Sequence, residues 1–405
     1  MNVLILCAGK GERLRPITES IPKALVKIDG IPILKRHLDI LEKIPEIENI
    51  IIPVWYLGKQ INSYVLENIT SSKNIYIFVE EPLQGSAGAC LKTLAYAGEK
   101  TPLMVINADT YYIDMTFYMK LVELYHQMQK PTSLLALGIK ETKKGVKGLA
   151  IVSEDRITVF CENPTFSIEG DTYLQNAGVM ILNPETFHLL KKLQKKDKYD
   201  LGKDFLPEIV KKSHFEPCYT GDYIDIGEIA SYCELQTMTY LKKLTWLIEE
   251  KIDLSSIFEI LLSAKGTIWF VANGGSLSVA QHGALDLTKA AKKKAIAISE
   301  PGIITAYSND ISFERGIATY LWHMWKREDV VIILSTSGES ENLLSIAKEA
   351  KKERITTVAL TSKGSSLAKI AKVAVGFEEE DPKILEDLFQ IALHQLTRMI
   401  QDANP

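Results

Sequence analysis

The sequence predicts two α/β units, each built on a mostly parallel sheet. One sign is alternation. Short apolar runs at Val3–Leu6, Ile50–Pro53, Tyr76–Val79, Leu103–Ile106, Ile268–Val271, Val330–Leu334 and Thr357–Leu360 are separated by longer amphipathic stretches. A second is grouping: between the fourth and fifth of these runs, Ile229–Ala264 has no strand signal but a helical period through Leu235, Met238, Leu241, Leu244, Leu247 and Ile248, then Leu254, Ile257 and Leu261. The third is length, since 405 residues allow two or three domains at roughly 150 each. The boundary is placed near Thr237, giving units of residues 1–236 and 238–405. No Pro/Gly/Ser-rich linker marks it, so the join is either a continuous helix or a tight turn.

Composition excludes several function classes. At 46% hydrophobic and 24% charged the chain can bury sizeable cores. A net charge of -4 argues against binding nucleic acid through bulk basic charge, though not against a local phosphate pocket. No apolar run approaches the ~18 residues of a membrane span. The opening strand runs into Gly/Lys rather than a small-residue cleavage site, which argues against a signal peptide. Cys7, Cys90, Cys161, Cys218 and Cys233 form no CxxC pair and read as buried, reduced thiols. A soluble, cytoplasmic protein is expected. Lys292–Lys294 reads as a solvated face.

Taken in order, the first strand ends at Leu6 and runs into Ala8-Gly9-Lys10-Gly11. A glycine-rich turn after a strand lets backbone N–H groups approach an anion. The dinucleotide fingerprint fails because Leu14 stands where its third glycine should be, and no GK[ST] completes a Walker A loop. What remains is Gly9-x-Gly11-x-Arg13-Leu14-x-Pro16-x-Thr18, followed by Pro22-Lys23-Ala24-Leu25. Later strands end in Asn107-Ala108-Asp109 and in Tyr223-Ile224-Asp225-Ile226-Gly227, two carboxylates suited to a hard cation.

This string resembles the sugar-1-phosphate nucleotidyltransferases over about residues 1–236. The resemblance implies a Rossmann-like, GT-A-like nucleotidyltransferase domain. It assigns Leu6, Ala8, Gly9 and Gly11 to the nucleotide, Arg13 and Lys23 to catalysis, and Asp109 and Asp225 to Mg²⁺. Gln84-Gly85-Ser86-Ala87-Gly88 resembles the segment framing the nucleobase, through Gln84, Gly85 and Gly88. Glu162, with Asn176 and Gly178 of Gln175-Asn176-Ala177-Gly178, matches the sugar contacts. Two positions depart from the family: Ala108 replaces glycine, and Asn163 replaces a lysine that helps grip the sugar phosphate. Asp204-Phe205-Leu206-Pro207 and Tyr223–Gly227 resemble the heptose-1-phosphate guanylyltransferase branch, which implies GTP and heptose 1-phosphate as substrates; UTP or CTP with another sugar phosphate stays open.

In the second unit, the strand Ile268–Val271 runs into Asn273-Gly274-Gly275-Ser276, with Gln281-His282 and Asp286 on the helix that follows. The strand Val330–Leu334 runs into Ser335-Thr336-Ser337-Gly338-Glu339-Ser340. Hydroxyls and helix N-terminal amides together can hold a phosphate dianion. His282 and Asp286 share one helix face, as do Glu386 and His394. These features resemble the sugar isomerase (SIS) domain over about residues 238–405, a doubly wound parallel sheet, and within it the sedoheptulose-7-phosphate (phosphoheptose) isomerases. The resemblance places Asn273, Gly274, Ser276, Asn309, Asp310, Ser335, Thr336, Ser337 and Ser340 on the sugar phosphate. It makes Asp286 the base and His394 the acid, with His282, Asp286, Glu386 and His394 as a Zn²⁺ set. Asp286 stands for glutamate, Glu386 for glutamine and Glu339 for asparagine. The combined expectation is a bifunctional enzyme of nucleotide-heptose synthesis acting on GTP, heptose 1-phosphate and sedoheptulose 7-phosphate, a homotetramer through its SIS unit. A second unit serving only as a sugar-phosphate sensor is the rival expectation.

Overall fold

Four of the seven apolar runs become neighbouring parallel strands of the first sheet. The computed structural model describes residues 1–128, 132–142, 146–166, 170–194, 198–249 and 252–403. The chain divides into Met1–Thr239 and Tyr240–Pro405. In the first unit, Leu103–Asn107, Asn2–Leu6, Asn49–Val54 and Asn74–Val79 lie side by side and parallel. Side-chain alternation sorts them onto two cores. Val3, Ile5, Ile50, Ile52, Met104 and Ile106 pack on one face, and Leu4, Ile51, Leu103 and Val105 on the other. Helices cover both faces, so these strands read as continuous apolar runs rather than as alternations. Each fully buried Leu or Ile side chain contributes about 1.5–3 kcal/mol.

The same sheet is mixed, not mostly parallel. Thr172–Leu182 pairs antiparallel with Leu103–Asn107, and Ser133–Glu141, Leu149–Ser153, Arg156–Cys161 and Phe215–Tyr219 extend that side. Leu149–Ser153 and Arg156–Cys161 are half-exposed and carry weak patterns, whereas residues 134–137 and 179–182 are buried apolar runs of the same kind as the parallel strands. A small antiparallel pair, Thr110–Tyr112 with Tyr223–Asp225, sets Asp225 opposite Thr110.

The second unit holds one parallel sheet. Its order is Ala295–Ala297, Ile268–Ala272, Val330–Ser335, Thr356–Ser362, Val373–Phe377. Phe270, Ile332 and Val358 face one core, and Trp269, Val331 and Ala359 face the other. The helical stretch between the groups forms the helices Ile229–Glu249 and Ser255–Ser263; residues 250 and 251 lie outside the described residues. The division at Thr239 falls inside the first of these helices. Among the described residues no helix is long and apolar enough to cross a membrane. Cys7, Cys90 and Cys218 are buried thiols, whereas Cys233 is exposed, contrary to the expectation for it.

Candidate functional site

Each unit carries its site at the carboxyl ends of its parallel strands, where loops leave the sheet. In the first unit, the strand Asn2–Leu6 opens into the loop through Gly9 and Gly11. Gly11 has φ 65, and a Cβ there would lie 3.0 Å from Thr18 Cγ2, so the turn needs glycine. Thr18 Oγ1 donates to Gly11 O at 2.7 Å and holds the loop closed. Leu6, Gly9, Gly11, Arg13, Lys23 and Asp109 line a cleft of about 510 Å³ beside it. Lys23 Nζ donates to Asp109 Oδ2.

Asp225 joins this group through the backbone. Ile226 N–H donates to Asp109 O at 2.9 Å, which clamps the two aspartate segments together. Gly227 must be small, since a Cβ would lie 3.0 Å from Arg13 Nη2 and 3.2 Å from Asp225 Oδ1. The Asp225 carboxyl is pushed up to about 6, first by lost hydration and then by the Asp109 carboxylate, with Lys23 and Arg13 opposing. Together the two carboxylates form a hard oxygen donor set, which fits Mg²⁺.

A second cleft, of about 410 Å³, is lined by Leu6, Ala8, Gly9, Gly85, Asp109, Glu162 and Asn176. Gly85, at φ 86, could not carry a side chain, because a Cβ would lie 2.6 Å from Tyr199 O. Ala87 and Gly88 N–H groups donate to the same carbonyl, so Tyr199 anchors the whole segment. Gln84, Gly88 and Gly178 are not among the lining residues. Gln84 N–H donates to Glu80 Oε1 at 3.0 Å, and a Cβ on Gly88 would meet Gln84. Gly178 packs against Thr110 and Asn107 and receives Asn176 Oδ1 on its N–H at 2.9 Å.

Two acids and an amide here escaped sequence reading. Glu80, almost fully buried, and Asp200 both line the second cleft, as does Asn107 at its strand's end. Asp200 caps a helical turn through Gly202 and Lys203 N–H and accepts Ser86 Oγ at 3.0 Å. Asp-x-Gly before an apolar stretch was a readable cap signal. Burial and then Asp200 raise the Glu162 carboxyl.

In the second unit, strand order decides the site. Ile268–Ala272 has Ala295–Ala297 on one side and Val330–Ser335 on the other, so the connections leave in opposite directions and open a crevice between two loops. Those loops are Asn273–Ser276 and Ser335–Ser340. A reciprocal amide pair ties them: Asn273 Nδ2 donates to Asn342 Oδ1 at 2.9 Å, and Asn342 Nδ2 returns to Asn273 Oδ1 at 2.8 Å. Gly274 and Gly338 adopt φ 53 and 66. Ser335 Oγ accepts Gly338 N–H at 3.0 Å, Ser337 Oγ accepts Glu339 N–H at 3.2 Å, and Thr336 O accepts Ser362 Oγ. Ser340 caps the helix Glu341–Lys352 with no side-chain bond to it. Glu339 Oε1 accepts Ser366 N–H at 2.8 Å, a structural use of the departure there. Asn309 and Asp310 bond one another at the exposed end of the helix Pro301–Asp310 rather than either serine loop.

His282 and Asp286, one turn apart on the helix Gly274–Lys289, meet His394 on the helix Pro382–Ala403. Asp286 Oδ2 lies 3.2 Å from His282 Nε2 and 3.5 Å from His394 Nε2, and the two nitrogens are 3.3 Å apart. Gln390 Nε2 lies 2.8 Å from His394 Nε2, an interaction that one-turn spacing alone could have suggested. Two imidazole nitrogens and one carboxylate oxygen facing one another suit Zn²⁺. Glu386 does not join them. It sits two turns earlier, about 12 Å along the axis for eight residues, and its Oε1 accepts Ser276 Oγ at 3.0 Å. A Cβ on Gly275 would lie 2.7 Å from the same carboxylate. Sharing a helix face did not mean sharing a height.

Comparison with known proteins follows this division. The family described as Nucleotidyl transferase matches residues 2–242, and that described as SIS domain matches residues 241–362. The D-glycero-alpha-D-manno-heptose 1-phosphate guanylyltransferase of Campylobacter jejuni is 31% identical over 235 residues, 57% of this chain and 97% of that protein. The phosphoheptose isomerase of Helicobacter pylori is 31% identical over 147 residues, 35% of this chain and 77% of that protein. The crystal structure of HddC from Yersinia pseudotuberculosis matches 59% of this chain and 99% of its own, at 24% identity and a TM-score of 0.48.

Proposed function

The chain belongs to the nucleotidyl transferase family, with a SIS domain after it in sequence, and from that premise we propose a bifunctional enzyme of nucleotide-activated heptose synthesis. The first unit transfers GMP from GTP to heptose 1-phosphate. An oxygen of the sugar phosphate attacks the α-phosphorus, and pyrophosphate leaves. The amides of Gly9–Gly11 cradle the triphosphate, while Arg13 and Lys23 offset the charge that develops in flight. Asp109 and Asp225 would hold Mg²⁺, which supplies Lewis acidity at the phosphates. Glu162 and Asn176 orient the sugar.

The second unit interconverts sedoheptulose 7-phosphate and D-glycero-D-manno-heptose 7-phosphate. Ser335–Ser340 and Asn273–Ser276 hold the phosphate end. Asp286 takes a proton from the hydroxyl-bearing carbon beside the carbonyl while the carbonyl oxygen gains one, giving an enediol; His394 then protonates the former carbonyl carbon as the other enediol hydroxyl gives up its proton to leave the aldehyde. His282, Asp286 and His394 would hold Zn²⁺, which polarises the carbonyl when bound. One observation supports this reading most: the shorter aspartate arm still reaches both imidazoles, in the unit that holds both serine loops.

We place the enzyme in the cytoplasm as a homotetramer through its SIS unit. Exposed Leu285, Trp322 and Met324 are apolar surfaces suited to such contacts, and light scattering tests it. The activity test has two arms. Pyrophosphate release across four NTPs and several sugar 1-phosphates should peak with GTP and heptose 1-phosphate. Sedoheptulose 7-phosphate should take up solvent deuterium beside its carbonyl as aldose forms. Binding without aldose or deuterium, at any zinc loading, would refute the isomerase and leave a sensor.

A further inference from the structure

Asp225 also lines another cleft of about 490 Å³. Among the described residues around it, three are cationic: Arg13, Lys140 and Lys147. Lys140 is committed elsewhere, since its Nζ donates to Tyr223 O at 2.7 Å and lies 4.0 Å from that ring's centre. Arg13 also lines the cleft of the glycine loop, with its guanidinium against Gly227.

Lys147 has a different setting. Its backbone N–H donates to Tyr173 Oη at 3.2 Å. The next residue, Gly148, is pinned on both sides: its N–H donates to Glu162 O at 2.8 Å, and its carbonyl accepts Asn176 N–H at 2.8 Å. Gly148 adopts φ 55, and a Cβ there would lie 3.3 Å from Asn176 Cβ, so the backbone is held tightly where Lys147 departs. The side chain therefore starts beside the segment carrying Glu162 and Asn176 and lines the cleft that holds Asp225. Its ammonium pulls the Glu162 and Asp225 carboxyls down against the rise that lost hydration imposes. Asn163, directly after Glu162, brings no charge to this region.

A sugar 1-phosphate enters as a near-dianion at neutral pH. Beside Asp109, Asp225 and Glu162, that anion needs a cation which the triphosphate does not already engage. A lysine on a flexible stem meets phosphate as a point charge without demanding a fixed fork geometry. We propose that Lys147 is the cation that binds the phosphate monoester of the sugar 1-phosphate, standing across the Gly148–Glu162 contact from the uncharged Asn163. The inference rests on the transferase reading above. It adds which residue grips the acceptor substrate.

The test uses the full-length protein, with initial rates of pyrophosphate release at varied heptose 1-phosphate and varied GTP. Lys147→Ala should raise KM for the sugar phosphate roughly tenfold or more, the usual loss for one hydrogen bond to a charged group, with little change in KM for GTP. Lys147→Arg should stay near wild type. Asn163→Lys should change little in the wild-type background but recover sugar-phosphate KM in Lys147→Ala. An unchanged KM in Lys147→Ala, equal rises for both substrates, or failure of Asn163→Lys to recover the loss would each overturn the proposal. Failure of the transferase reading is distinct, showing as no pyrophosphate release by the wild type. Calorimetric binding of heptose 1-phosphate then still decides Lys147: a weaker Kd in Lys147→Ala upholds it, and an unchanged Kd overturns it.

Discussion

At Gly283 the helix carrying His282 rests directly on the Leu393 side chain of the helix carrying His394. A Cβ placed there would lie 2.7 Å from Leu393 Cδ1 and 3.3 Å from Phe270 Cε1. Carbon atoms rest at about 3.5–4.0 Å, so alanine leaves a shortfall of about 0.8–1.3 Å. Leu393 is 2% exposed and Phe270 fully buried, so any shift of either disturbs packed neighbours. The helices must part, or the core must strain, at about 1–3 kcal/mol. Parting matters more for chemistry than for stability. His282, beside Gly283 in sequence, meets Asp286 at 3.2 Å and His394, beside Leu393, at 3.3 Å. A misplacement of about 1 Å costs on the order of 10²-fold in rate. Gly283→Ala should therefore lose isomerase activity and zinc affinity far out of proportion to its fall in melting temperature, while pyrophosphate release is unaffected. Adding Leu393→Ala should open room for the new methyl and recover part of the rate. Unchanged isomerase rate and melting temperature in Gly283→Ala would refute this account of the helix contact.

Asp109→Asn and Asp225→Asn should each abolish metal-dependent pyrophosphate release, and near-wild-type rates in both would exclude the metal pair. Lys23→Ala should cost roughly 10²-fold in kcat, read in the same assay at saturating substrates. Asp286→Asn and His394→Ala should stop aldose formation while calorimetry still detects sedoheptulose 7-phosphate at the serine loops; loss of binding would mean these groups hold substrate rather than act on it. His37, buried against Tyr118 Oη at 2.8 Å, is held down to about 4 by burial from an ordinary 6.5. Its contribution to stability is complete above pH 6.5 and falls as pH drops toward 4, where protonation favours the unfolded chain, by on the order of 3 kcal/mol in total. Denaturant unfolding between pH 7 and 4 should show His37→Phe losing less stability than wild type across that window; equal losses would count against a neutral buried His37.

Much of this protein is legible in its residues, because much of it is local. Continuous apolar runs marked the parallel strands, since a strand buried on both faces leaves no polar side to show. The Gly9–Gly11 loop with Arg13 and Lys23, and the two aspartates at strand ends, were readable because chemistry demands those residue types at fixed offsets. His282 and Asp286 were paired by a helical turn. What lay beyond reach was every relation set by packing across long stretches of chain. Periodicity put Glu386 and His394 on one face, but only the packed helices decided that Glu386 meets Ser276 while His394 meets Asp286. Strand order, not spacing, joined the two serine loops through Asn273 and Asn342. Lys147 gained its setting from Gly148 pinned between Glu162 and Asn176, contacts between residues well separated in sequence. Local pattern reports which face of an element is apolar; height, register and neighbour follow from how close two backbones can come, and at Gly283 that came down to one missing methyl.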